Sequence, residues 1–108
     1  MTALLVFTNA PDRAVAQTIA HALVDQKLAA CVTILAESTS VYRWQGKLET
    51  ASEVPLMIKT RGEIFADVEA AIKSLHPYEL PEIVAVPVER GSDAYLEWIS
   101  AATVTEIG

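Results

Sequence analysis

A chain of 108 residues suits one domain and leaves no room for a second core, since domains cluster at roughly 100–150 residues. Its apolar share of 52% without glycine exceeds the ~45–50% usual with glycine counted, yet no apolar run approaches the ~18 residues of a membrane span. A formal charge of −6 with eight scattered basic residues argues against a nucleic-acid partner, and a lone cysteine, Cys31, behind a start without secretory features makes the cytoplasm the expected compartment.

Residues 3–8 are apolar and β-favouring, and Asn9-Ala10-Pro11-Asp12 follows with a cap residue, a helix-starting proline and an early acid. A strand is expected to hand over to a helix there. Val15, Ile19 and Leu23, with Ala16, Ala20 and Val24, recur at helical spacing, while Arg13, Gln17, His21 and Asp25 take the other side. Residues 29–44 alternate loosely and are rich in β-branched and aromatic types; Gln45-Gly46 supplies a turn and residues 47–60 run back, which predicts a long hairpin. Pro55 cannot donate to a ladder, so it belongs at a bulge or an edge.

Thr60-Arg61-Gly62-Glu63 has the spacing of a capping box, and Ile64, Phe65, Val68, Ala71, Ile72 and Leu75 give a second helix its apolar stripe. His76-Pro77-Tyr78-Glu79-Leu80-Pro81-Glu82 reads as a stiff polar loop. Residues 83–88 form a last strand whose Pro87 points to an edge, and a short helix starting at Ser92 or Asp93 presents Tyr95, Leu96 and Ile99. The order predicts an α+β domain over residues 1–108: a ferredoxin-like βαββαβ antiparallel sheet with an additional C-terminal helix.

Two physical counts predict an oligomer. Residues 4–7, 56–58 and 83–88 are apolar at consecutive positions, so both sheet faces are apolar, whereas helices in this topology cover one. The other face exceeds the few hundred Å² that monomers tolerate. In addition, the strand from Cys31 to Trp44 would extend roughly 45 Å at about 3.3 Å per residue, against a diameter of roughly 35 Å for a compact domain with a radius of gyration near 13 Å. Its far end carries Val41, Tyr42 and Trp44, and large aromatics are enriched at interfaces. A bend or bulge at Glu37-Ser38-Thr39-Ser40 that folds the hairpin over its own sheet is the alternative.

In Leu28-Ala29-Ala30-Cys31-Val32, Tyr42-Arg43-Trp44-Gln45-Gly46-Lys47, Ile58-Lys59-Thr60, His76-Pro77-Tyr78-Glu79 with Pro81-Glu82, and Tyr95-Leu96-Glu97-Trp98-Ile99, the chain resembles the CutA proteins over nearly its whole length. The resemblance implies a stable homotrimer of ferredoxin-like subunits, sheet edges meeting around a three-fold axis, and a role in tolerance of divalent metal ions, copper above all. It implies no defined reaction and no required cofactor. PII-type signal transducers are similar in fold alone.

His76 is the leading candidate metal ligand, because it opens a loop held by two prolines with Tyr78, Glu79 and Glu82 within six positions. Imidazole with carboxylate suits Cu(II) or Zn(II), and rigid spacing lowers the ordering cost of a site. The alternative is a loop that merely closes the second helix onto the last strand. Cys31 is either a soft ligand for Cu(I) or Zn(II) or a core residue. The candidate metal set is therefore His76, Glu79, Cys31 and Glu82. Where some CutA proteins carry a cysteine on the first strand and a second histidine beside the loop, this chain has Thr8 and Leu75.

His21 reads as a solvated residue and Met57 as a packing one. A Cys31–His76 nucleophilic pair needs contact and an orienting third group, and nucleotide and zinc-hydrolase signatures are absent, so no enzyme is expected. Lys59, Thr60 and Arg61 offer either an anion site or a helix cap. Three functions follow: a metal-responsive tolerance protein, a PII-like regulatory trimer with a small ligand in clefts between subunits, or a module whose assembly is itself the function.

Overall fold

The computed structural model describes residues 1–103. Strand β1 (Ala3–Ala10) leads to helix α1 (Arg13–Asp25), then strands β2 (Cys31–Ile34), β3 (Ser38–Trp44) and β4 (Lys47–Arg61). A 3-10 turn, Gly62–Ile64, opens helix α2 (Phe65–Leu75); strand β5 (Val84–Pro87) and helix α3 (Asp93–Ala101) follow. All strand pairs are antiparallel, in the order β2-β4-β1-β5, with β3 continuing beside β4. With β2 and β3 taken as one broken strand, this is the expected ferredoxin-like sheet with its added helix.

The core lies between one sheet face and two helices. Val6, Leu56 and Ile58 on the sheet, Ile19 and Leu23 on α1, and Val68 and Ile72 on α2 are fully enclosed. The apolar stripes read from helical spacing hold for these residues, whereas Val24 and Leu75, at the margins of those stripes, are exposed.

Both helix starts differ from expectation. The cap of α1 is Asp12, whose carboxylate accepts the Val15 N–H at 2.9 Å, so Pro11 stands ahead of the helix and Asn9 stays in β1. No capping box forms at 60–63: the buried Thr60 hydroxyl donates to the Leu28 carbonyl at 2.7 Å, and β4 runs on to Arg61. The Gly62 N–H is taken by the Thr2 carbonyl at 2.7 Å, which extends sheet-like bonding past the point where a helix was expected.

Pro55 does sit at a bulge. Ile34 pairs with Leu56 and Ser38 with Glu53, so Leu35, Ala36 and Glu37 face only Val54 and Pro55. The Pro55 carbonyl accepts from the Leu35 N–H at 2.9 Å, and its ring nitrogen faces the same side, into the bulge, where no ladder donor is required. Pro87 lies on β5, an edge strand paired only with β1. The break at 35–37 does not fold the hairpin back: the molecule measures 44 × 29 × 23 Å with a radius of gyration of 14.4 Å. The hairpin turns at Gln45 and Gly46, both at positive φ, the pairing a two-residue turn needs.

The second sheet face is not wholly bare. Helix α3 covers one end, packing Ile99 against Ala3 and Ala30, and the Arg61 Nε donates to the Thr103 hydroxyl at 2.8 Å. The expectation that helices cover one face only is corrected to that extent. Beyond α3 the face runs through Leu5, Phe7 and Met57, half-buried, to Val84 and Val86, which are exposed.

Candidate functional site

The 76–82 loop is tied to the sheet at three points. His76 follows the last turn of α2 with extended backbone, and its Nε2 lies 2.6 Å from the Asn9 carbonyl while its Nδ1 accepts the Tyr78 N–H at 3.2 Å. A carbonyl can only accept and an amide can only donate, so the ring carries its proton on Nε2. The Tyr78 hydroxyl donates to Glu53 Oε2 at 3.0 Å, and the Asn9 side-chain amide donates to Glu82 Oε1 at 3.3 Å. The His76 and Tyr78 rings meet at a tilt of 50°, 4.6 Å between centroids.

Between this loop and β3 lies a groove of about 700 Å³, within the range of roughly 300–1,000 Å³ typical of small-molecule sites. Its walls include Tyr42 and Trp44 from the hairpin, Glu53 from β4, and Tyr78, Glu79 and Glu82 from the loop. Alternation along the strands puts Ser40, Tyr42, Trp44 and the cross-strand Glu53 on one face. Arg43 also lines the groove, but its guanidinium reaches the Gly46 carbonyl at the turn, 3.4 Å away.

Glu53 is only 7% exposed. Burial, followed by the hydrogen bond to Glu53 and its charge, pushes the Tyr78 hydroxyl up to about 12. Tyr78 therefore keeps its proton and remains a donor at neutral pH.

The four candidate metal ligands are not brought together as a set. Glu79 and Glu82 line the groove. His76 lies behind it, 8% exposed, with both ring nitrogens engaged. Cys31 is half-buried on β2, where its register partners are Lys59 and, beyond it, Leu5. Leu5 precedes Asn9 by four residues on β1, so Cys31 is about 13 Å along the sheet from the loop's anchor, at ~3.3 Å per residue. Among the described residues no group of three or more His, Cys, Asp or Glu is placed to hold a metal ion.

Thr8 is buried with its hydroxyl unpartnered among the described residues, and Leu75 is exposed. The described residues bring Lys59, Thr60 and Arg61 to no common site: Lys59 lies 5.7 Å over the Tyr95 ring, Thr60 is bonded to Leu28, and the Arg61 Nε is held by Thr103 with Nη1 3.8 Å from Glu63, while its buried Nη2 has no partner among the described residues. Sequence reasoning missed Glu53 and Asn9. An acid between Ser52 and Val54 in a strand reads as solvent-facing, and only the register with β3 and the crossing of the 76–82 loop bury it.

Comparison with known proteins bears on the same residues. The family model described as CutA1 divalent ion tolerance protein matches residues 4–102. Protein CutA of Mus musculus is 43% identical over 97 residues, 90% of this chain and 55% of its own length; the chain thus spans about half of this mammalian relative. The divalent-cation tolerance protein CutA of Thermus thermophilus is 44% identical over 99 residues, 92% of this chain and 96% of its own length. A solved structure of the Thermus thermophilus protein superposes with a TM-score of 0.93 at 43% identity, covering 94% of this chain and 99% of that one. The Oryza sativa CutA1 structure superposes at 0.95 with 34% identity, covering 98% and 97%. With all of the sheet but Ala3, and the 76–82 loop, inside the matched span, the chain belongs to the CutA1 divalent ion tolerance family.

Proposed function

We propose that this chain works as a homotrimer in the tolerance of divalent cations, copper first among them, and meets the ion with Glu79 and Glu82 in the groove beside the 76–82 loop. The observation that carries this reading is that these two carboxylates line an open groove and form no ion pair among the described residues. Two carboxylates fall short of the four to six donors such ions take, so neighbouring subunits complete the set. His76 enters it only by releasing the Tyr78 amide, and Cys31 only at a site shared between subunits. No catalytic step is part of the proposal. The lone Cys31, with no second cysteine to oxidise against, supports work in the cytoplasm.

Calorimetry with Cu(II) tests the site: the Glu79→Ala/Glu82→Ala double variant should lose binding and His76→Ala should keep most of it. Equal binding by wild type and the double variant would remove the groove from metal handling. The second reading, a regulatory trimer with a small ligand in the same clefts, is favoured by the size and aromatic walls of the groove.

A further inference from the structure

Glu53 has more acceptor capacity than the described residues use. One carboxylate oxygen takes the Tyr78 hydroxyl; the other, Oε1, has no hydrogen-bond partner among the described residues, and Glu53 lines the groove. Among the described residues no ion pair within 4.0 Å involves Glu53, although burying a carboxylate without a cation is costly. Tyr78 supplies no positive charge, and the Arg43 guanidinium reaches the turn instead. A side chain more than nine-tenths buried thus presents an unmet negative charge to a groove of ligand size.

The surroundings narrow the ligand. A divalent metal ion wants several donors at one point; among the described residues no such group includes Glu53, and the ion proposed above is met by Glu79 and Glu82 instead. A single free oxygen suits one ammonium or guanidinium group, which donates hydrogen bonds and needs no coordination shell. Tyr42 and Trp44 line the same groove from the same strand face, and aromatic walls beside a carboxylate favour a cation carried on an apolar body. Glu79 and Glu82 keep the entrance negative.

We propose that the groove binds a small organic cation, a primary ammonium or guanidinium on a flat apolar body, with the charge on Glu53 Oε1 and the body against Tyr42. This goes beyond divalent-cation tolerance and does not depend on Glu79 or Glu82 holding a metal.

The test is a titration of the full chain with phenethylammonium chloride, followed by amide and indole NMR shifts of Tyr42, Trp44 and Tyr78. Neutral 2-phenylethanol and anionic phenylacetate serve as controls. Saturable shifts at millimolar ammonium are expected, with binding at least tenfold weaker for both controls and for Glu53→Gln. Gln keeps an acceptor for Tyr78; Tyr42→Ala, at an exposed site, gives an independent severalfold loss if Glu53→Gln does not fold. The Glu79→Ala/Glu82→Ala variant, which removes charge lining the groove, should weaken the ammonium severalfold but clearly less than Glu53→Gln does, whatever its response to Cu(II). Absence of shifts, equal shifts with 2-phenylethanol, unchanged binding by Glu53→Gln, or a larger loss in the double variant than in Glu53→Gln would each overturn the proposal, as would a neighbouring subunit that fills the groove and leaves the signals unmoved.

Discussion

Tyr78 links the loop chemistry to stability through its proton. Its hydroxyl is raised from the ordinary 10 to about 12 by burial and by Glu53, so the folded state holds the proton more tightly than the unfolded chain. The stabilisation is complete below pH 10 and is lost as pH rises from 10 to 12. Denaturant midpoints at pH 9 and pH 12 should therefore fall further for the wild type than for Tyr78→Phe. At pH 7 that variant should be less stable by ~1–3 kcal/mol, since it leaves a buried carboxylate without its donor. A wild type and variant with parallel pH curves would detach the titration from Tyr78. Much of this site was hidden in the sequence. His76 was visible as a special residue, but whether its nitrogens face a metal or the backbone is settled by Asn9, 67 positions away. Glu53 gave no signal at all, because its burial comes from the crossing of two segments rather than from its own pattern.

At the scale of elements, residue chemistry wrote most of the fold directly. Pro55 and Pro87 forbade ladder donation and landed at a bulge and an edge, and the helical stripes named the core of α1 and α2. The misreadings share one cause: a polar side chain near a helix start has more than one backbone partner within reach. Thr60 chose the Leu28 carbonyl over its own cap, and Asp12 rather than Asn9 met the free N–H groups of α1. The hairpin turn depends on backbone freedom alone. Gly46 has φ +82, and a Cβ there would meet nothing within 4 Å, so Gly46→Ala carries a purely conformational cost of about 1–2 kcal/mol. Chemical denaturation should show that loss, and Gly46→Asn a smaller one, because Asn tolerates the left-handed region. Equal stability of Gly46→Ala and wild type would mean that the turn relaxes to another type.

For the whole molecule, unfinished burial is the property on which the proposed assembly rests. The radius of gyration of 14.4 Å exceeds the ~13 Å of a compact chain this size. The excess lies in a hairpin whose face opposite Tyr42 and Trp44 leaves Val41 and Leu48 exposed, Leu48 at 70%. On the second sheet face, α3 covers Ala3 and Ala30, but Val86 remains 45% exposed beside half-buried Leu5. Apolar surface of this kind is released from water when another subunit covers it, by ~25 cal/mol per Å². Val86→Lys puts a charge on that face without touching the core between the sheet and α1 and α2. Under the trimer proposal, sedimentation of the wild type should give about 35 kDa, three times 11.7 kDa, and the variant should shift towards the single-chain mass while its far-ultraviolet circular dichroism stays unchanged. A wild type that sediments at 11.7 kDa at micromolar concentration would mean the face stays open in solution, and the shared clefts proposed for metal binding would have no second wall.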